Sequence, residues 1–161
     1  MQTAKIKKAL PKIICWALVA ACMGAIFYFS SCTAVESTVQ SNAVIEFLQR
    51  IFGEHFVEQA EVIVRKSAHF LEFTGLGLLF GIAFFAQLDK PKTPLAILCT
   101  SLYAITDEVH QIFVEGRACK LLDWLIDTAG ATLGAFAFLI ILIIIRKIIN
   151  KKQNSEKAID S

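Results

Sequence analysis

The residues able to do chemistry fall in three short stretches. Arg65, Lys66, His69 and Glu72 form the first, Asp107, Glu108, His110, Gln111 and Arg117 the second, and Asp123 and Asp127 the third. Imidazoles and carboxylates are the usual proton donors and acceptors of catalysis, and both also suit zinc or manganese. Arginine forks grip phosphate or carboxylate bidentately, so Arg117, with Lys120, Arg65 and Lys66, could hold an anion. Plainer uses compete. Asp107, Asp123 and Asp127 can simply neutralise Arg65, Lys66 and Arg117 in an ion-pair network that fixes helix register. A single histidine is often only a hydrogen-bonding residue, and a loop arginine can meet lipid phosphates without specificity. No HExxH or CxxC spacing occurs, and no serine or cysteine stands where a base would activate it. No resident metal or cofactor is therefore expected, and catalysis by this set stays open.

The elements that must position these residues are apolar. Hydrophobic residues make up 56% of the 161, more than in an ordinary soluble domain, and runs of about 20 apolar residues recur. This implies an all-α membrane protein with four transmembrane helices, at about residues 13–29, 67–88, 94–114 and 121–145. A lysine-rich start, Lys5, Lys7, Lys8 and Lys12, precedes the first run. It resembles a signal peptide but is read as a retained helix. Between helices 1 and 2, residues 30–64 are acid-rich, and Val44, Ile45, Phe47, Leu48, Ile51 and Phe52 recur at helical spacing. An extracytoplasmic amphipathic segment on the membrane surface fits this pattern, broken at Gly53. The third helix reaches spanning length only if Thr106 to Phe113 belong to it, which puts carboxylates near one membrane face.

Basic residues flanking short loops favour the cytoplasm. The N-terminal lysines, Lys90 and Lys92, and Arg146, Lys147, Lys151 and Lys152 then share one side. Residues 1–12 form a basic cytoplasmic start, 13–147 one membrane domain, and 148–161 a polar cytoplasmic tail expected to be disordered, with both termini inside. The polar stretches face outward. At about 100° per residue, Arg65, His69 and Glu72 share a face if helix 2 extends back to Arg65. Asp107, His110 and Gln111 share another, with Glu108 at its edge, and Asp123 and Asp127 lie one turn apart. Charge facing lipid is expensive, so these faces should converge. Gly77 with Gly81, and Gly130 with Gly134, are small-xxx-small pairs expected to pack within the chain, with a homodimer as the alternative. Cys32 and Cys119 should lie on the same side, leaving a disulfide between them open.

These same stretches resemble the VanZ-like family of bacterial membrane proteins. RKSAHFLEF, YAITDEVHQIFVEGR and LLDWLIDTAGATLG are similar to its three signature segments, and FYFSS at the end of helix 1 is a weaker match. The resemblance carries over to Lys66, His69, Glu72, Asp107, Glu108, His110, Gln111, Arg117, Asp123 and Asp127. Phe73 stands where the family often has tyrosine, Glu115 where it has proline, and Cys32 where glutamine is frequent. The resemblance implies a multi-pass protein of the bacterial plasma membrane, and some members are associated with low-level teicoplanin resistance. The expected function is an outward polar pocket binding an anionic envelope headgroup, a peptidoglycan precursor or a glycopeptide antibiotic. The alternative is a metal-assisted or acid/base hydrolase or transferase acting on a lipid-linked substrate. Membrane lipids are the expected surroundings and no nucleic-acid partner is expected. A transporter is a thin case without an internal repeat or broken helix.

Overall fold

A computed structural model describes residues 2–33, 36, 46–47, 50–51 and 57–159. Among them lie four long helices, α1 Gln2–Ser30, α2 Val57–Leu88, α3 Thr93–Gln111 and α4 Leu121–Ile159. Three stretches, Leu10–Ser30, Val62–Leu88 and Leu121–Ser155, are long and apolar enough to cross a membrane. α3 does not meet that mark, because Asp107, Glu108, His110 and Gln111 fill its last turns. Most of the segment expected to hold the amphipathic surface helices lies outside the described residues. Within it Glu46, Phe47, Arg50 and Ile51 are helical. At its start, Glu36 Oε2 accepts from the Thr33 amide at 2.8 Å, and the Glu36 amide donates to Thr33 Oγ1 at 3.3 Å. This reciprocal pair has the hydrogen-bond pattern of a capping box.

Helix bounds depart from expectation where local chemistry decides them. α2 begins at Val57 rather than near 67, so Arg65 is inside the helix and shares its register with His69. α1 runs back to Gln2, since four lysines, two alanines and a leucine among residues 2–12 are good helix formers, and it continues through Pro11. α4 continues to Ile159, and the tail expected to be disordered is helical: no glycine or proline follows Gly134. α3 stops at Gln111 rather than 114, because the amides of Ile112, Phe113 and Val114 turn back to the carbonyls of Val109, His110 and Gln111. That tight turn leads to Gly116 at φ 74°, a left-handed position a side chain would strain.

α2 is the central element and touches the other three helices, most extensively α4. The α2–α4 seam is close because glycines line it. A Cβ on Gly134 would run into the Thr74 carbonyl, one on Gly77 into Ala131 and one on Gly130 into Phe70. Phe73, Leu76 and Ala83 of α2, Val19 and Ile26 of α1, Ala96 and Ala104 of α3 and Ala135 of α4 make the buried core. Outside it, Leu98, Leu102, Ile140 and Ile144 are about half exposed, as a lipid-facing surface would be. At the Leu88 end of α2, Lys12 Nζ reaches the Gln87 carbonyl at 3.5 Å and Arg146 lies 5.5 Å from the Phe85 ring centroid. The polar residues gather at the opposite end.

Candidate ligand-binding site

At that opposite end a cavity of about 90 Å³ opens between α2, α3, α4 and the loop joining α3 to α4. Its walls carry Arg65, Lys66, Arg117 and Lys120 against Glu108, Asp123 and Asp127, with His69 and Gln111. The charges form two layers because each helix contributes residues one turn apart. In the outer layer Lys66 Nζ lies 2.6 Å from Asp123 Oδ1, joining α2 to α4. Glu108, 3% exposed, accepts from the Lys120 backbone amide at 2.8 Å, which fastens the loop where α4 begins. A carboxylate there also complements the positive end of the α4 dipole.

The inner layer is built around Asp107 and Asp127, 2% and 1% exposed. Asp107 Oδ2 accepts from Ser30 Oγ at 2.8 Å and from Gln111 Nε2 at 3.0 Å. His69 Nδ1 stands 4.0 Å from Asp107 Oδ2 and 4.0 Å from Asp127 Oδ1, beyond hydrogen-bonding distance of either. His69 Nδ1, Asp107 Oδ1 and both oxygens of Asp127 are buried and find no hydrogen-bond partner among the described residues. Buried polar atoms are normally satisfied, so four unsatisfied ones together set this layer apart from the apolar core.

The expected residues do not all meet here. Arg65, Lys66, His69, Glu108, Gln111, Arg117, Asp123 and Asp127 line the cavity, and Asp107 stands behind His69. His110 is turned away from the cavity. Its ring stacks on Phe27 at 4.3 Å, and its Nε2 lies 3.0 Å from Ser31 Oγ. Ser31 spends its one proton on the Phe27 carbonyl at 2.7 Å, so His110 donates from Nε2–H and its tautomer is fixed. Glu72 is half-buried, deeper than His69, and does not line the cavity. Arg117 lines it, yet its Nε donates to the Cys32 carbonyl at 3.0 Å and its Nη2 to the Phe29 carbonyl at 3.4 Å, closing the carbonyl end of α1. Burial, and then the Arg65 charge, lower the Arg117 guanidinium from its ordinary value. Cys32 and Cys119 are not joined by a disulfide.

Sequence reasoning missed α1 as a contributor. Ser30 holds Asp107, Ser31 holds His110, and the Met23 carbonyl accepts from Tyr103 Oη at 2.7 Å. The signal was present in FYFSS, whose serines end an apolar run with no acid or base to draw attention. Among the described residues, no group of three histidine, cysteine or carboxylate side chains has metal-holding geometry. Comparison with curated proteins and with solved structures returned no match. The sequence pattern of the VanZ/LLP1 family matches residues 15–144, most of the chain and all of the cavity, and the protein belongs to that family.

Proposed function

We propose that the cavity is a binding site for an anionic headgroup of the bacterial cell envelope, or for a glycopeptide antibiotic, and that its occupancy contributes to low-level teicoplanin resistance. The carrying observation is Arg65. It lines the cavity beside Lys66 and Arg117, and no carboxylate lies within 4.0 Å of it among the described residues. Lys66 is neutralised by Asp123 and Arg117 is engaged by α1, which leaves Arg65 and the exposed Lys120, and of these two Arg65 is half-buried and offers the fork that grips a phosphate or carboxylate bidentately. Its surroundings are partly desolvated, which strengthens such a contact.

In this reading α3 is the fourth crossing. Nineteen residues give it a length of about 28 Å, close to the thickness of a bilayer core, and α2 and α4 shield its carboxylates from lipid. Lysines and arginines at the far end of the bundle support a topology with both termini in the cytoplasm, in the plasma membrane, and the cavity outside. Wild type, Arg65→Ala and a strain lacking the protein, compared at matched expression, test the function. Arg65→Ala is expected to match the deletion in teicoplanin susceptibility. Three identical strains would refute the resistance role.

A second reading, acid/base hydrolysis or transfer on a lipid-linked substrate, draws on His69 between two buried carboxylates. Serine, threonine and cysteine are absent from the cavity walls among the described residues, so water would have to be the nucleophile. Release of a product from envelope lipids, abolished by His69→Ala, is its test.

A further inference from the structure

We propose that the ligand is an aminoalkyl phosphate: its phosphate meets Arg65 at the mouth and its primary ammonium descends to Asp127 and His69. This rests on the anion-binding reading above and specifies what the anion must carry. Asp127 is buried, lines the cavity, and has both carboxylate oxygens without a partner among the described residues. Lys66, which lines the same cavity, is held by Asp123, one turn away from Asp127. A buried carboxylate with no counter-charge is costly, and a guest bringing both charge and N–H donors removes that cost.

The distances select the guest. An atom about 2.8 Å from both His69 Nδ1 and Asp127 Oδ1 would subtend about 90° between them, a natural angle for an ammonium nitrogen giving two hydrogen bonds. A zinc ion about 2.1 Å from each would need roughly 145°, far from tetrahedral. Three N–H donors suit the orphaned set, which consists of carboxylate oxygens and an imidazole nitrogen able to accept. Along α2, Arg65 precedes His69 by four residues, a rise of about 6 Å. A phosphate and an amine joined by two carbons reach across such a rise. A quaternary amine offers no N–H to the orphaned acceptors, and a glycerol phosphate brings no positive charge.

The purified full-length protein is titrated with O-phosphoethanolamine, phosphocholine and glycerol phosphate, and separately, in detergent micelles followed by native mass spectrometry, with the phosphatidyl lipids bearing the same three headgroups. The ethanolamine form is expected to bind about tenfold tighter than the other two. Asp127→Asn should bring the three within about twofold of each other, whereas Arg65→Ala should weaken all three alike. Binding of the lipid alone assigns the ligand to the bilayer, and binding of both forms shows that the headgroup suffices. Equal binding of all three by the wild type would overturn this inference and leave the anion site standing. No binding by any would overturn both. Retention of the amine preference by a folded Asp127→Asn protein would also overturn it, and the wild-type comparison is decisive without any variant.

Discussion

Asp107 and Asp127 are both buried aspartates, yet they stand in opposite energetic situations. Asp107 accepts two hydrogen bonds, one from Ser30 of a distant helix, whereas Asp127 accepts none among the described residues. Removing a donor from a buried carboxylate costs about 1.5–3 kcal/mol, so Ser30→Ala should lower the melting temperature by about 3–10 °C. Asp127→Asn should leave it unchanged or raise it, because the variant removes an uncompensated charge and offers His69 an amide. Thermal unfolding of both variants in one detergent checks this pair, and a fall for Asp127→Asn as large as for Ser30→Ala would contradict it. Which residues carry charge was plain in the sequence, and their register on each helix followed from spacing. Their division into satisfied and orphaned groups was not, because it depends on serine hydroxyls and backbone carbonyls that any apolar helix end supplies. His110 shows the limit best. Spacing puts it on the face of Asp107 and Gln111, but a stacking partner on α1 holds it elsewhere.

At the level of elements, the glycines separate packing from mere occurrence. Gly134→Ala would press a methyl group against the Thr74 carbonyl and the Leu78 amide, and overpacking of this kind costs about 1–3 kcal/mol. Gly24→Ala meets open space and should stabilise α1 by about 0.5–1 kcal/mol. Chemical denaturation of the two variants should therefore shift in opposite directions. The small-xxx-small pattern was readable, but only the structure distinguishes Gly134 from Gly24. The capping box adds a pH dependence. Hydrogen bonds from the Thr33 amide and then its hydroxyl hold the Glu36 carboxyl below its ordinary range. A lowered folded-state value means the stabilisation is present above the unfolded pKa and is lost as pH falls through the folded one. Intrinsic-rate-corrected exchange of the Thr33 amide should therefore lose protection in the wild type only as pH falls below the ordinary glutamate range. Glu36→Ala should show little protection at any pH. The end of α2 at Leu88 was legible because Pro91 follows it, whereas ends were illegible where a tight turn or mere continuity decides, as at Gln111 and in the tail beyond Arg146.

For the whole molecule, the two ends of the bundle differ in charge, and the expected orientation can be checked with single cysteines. With the remaining cysteines replaced by serine, Cys119 should react with a membrane-impermeant maleimide on intact cells. Lys151→Cys, in a background also lacking Cys119, should react only after permeabilisation. The reverse pattern would invert the proposed topology and put the cavity in the cytoplasm. The all-helical class was legible because long apolar runs favour the one element that satisfies its own backbone groups, whereas α3, expected as a fourth span, lacks the apolar length of the other three. How α1 sits against α3 was not legible, since no pattern in α1 names its neighbour. That contact is also a matter of time. The Ser30–Asp107, Met23–Tyr103 and Cys32–Arg117 bonds join positions 77, 80 and 85 residues apart. During synthesis the first helix must wait, its Met23 and Cys32 carbonyls and the Ser30 hydroxyl without their distant partners, until nearly three quarters of the chain has been made. The cavity is therefore among the last features to exist, and a nascent chain halted before Arg117 holds most of the protein's apolar mass and none of its closed site.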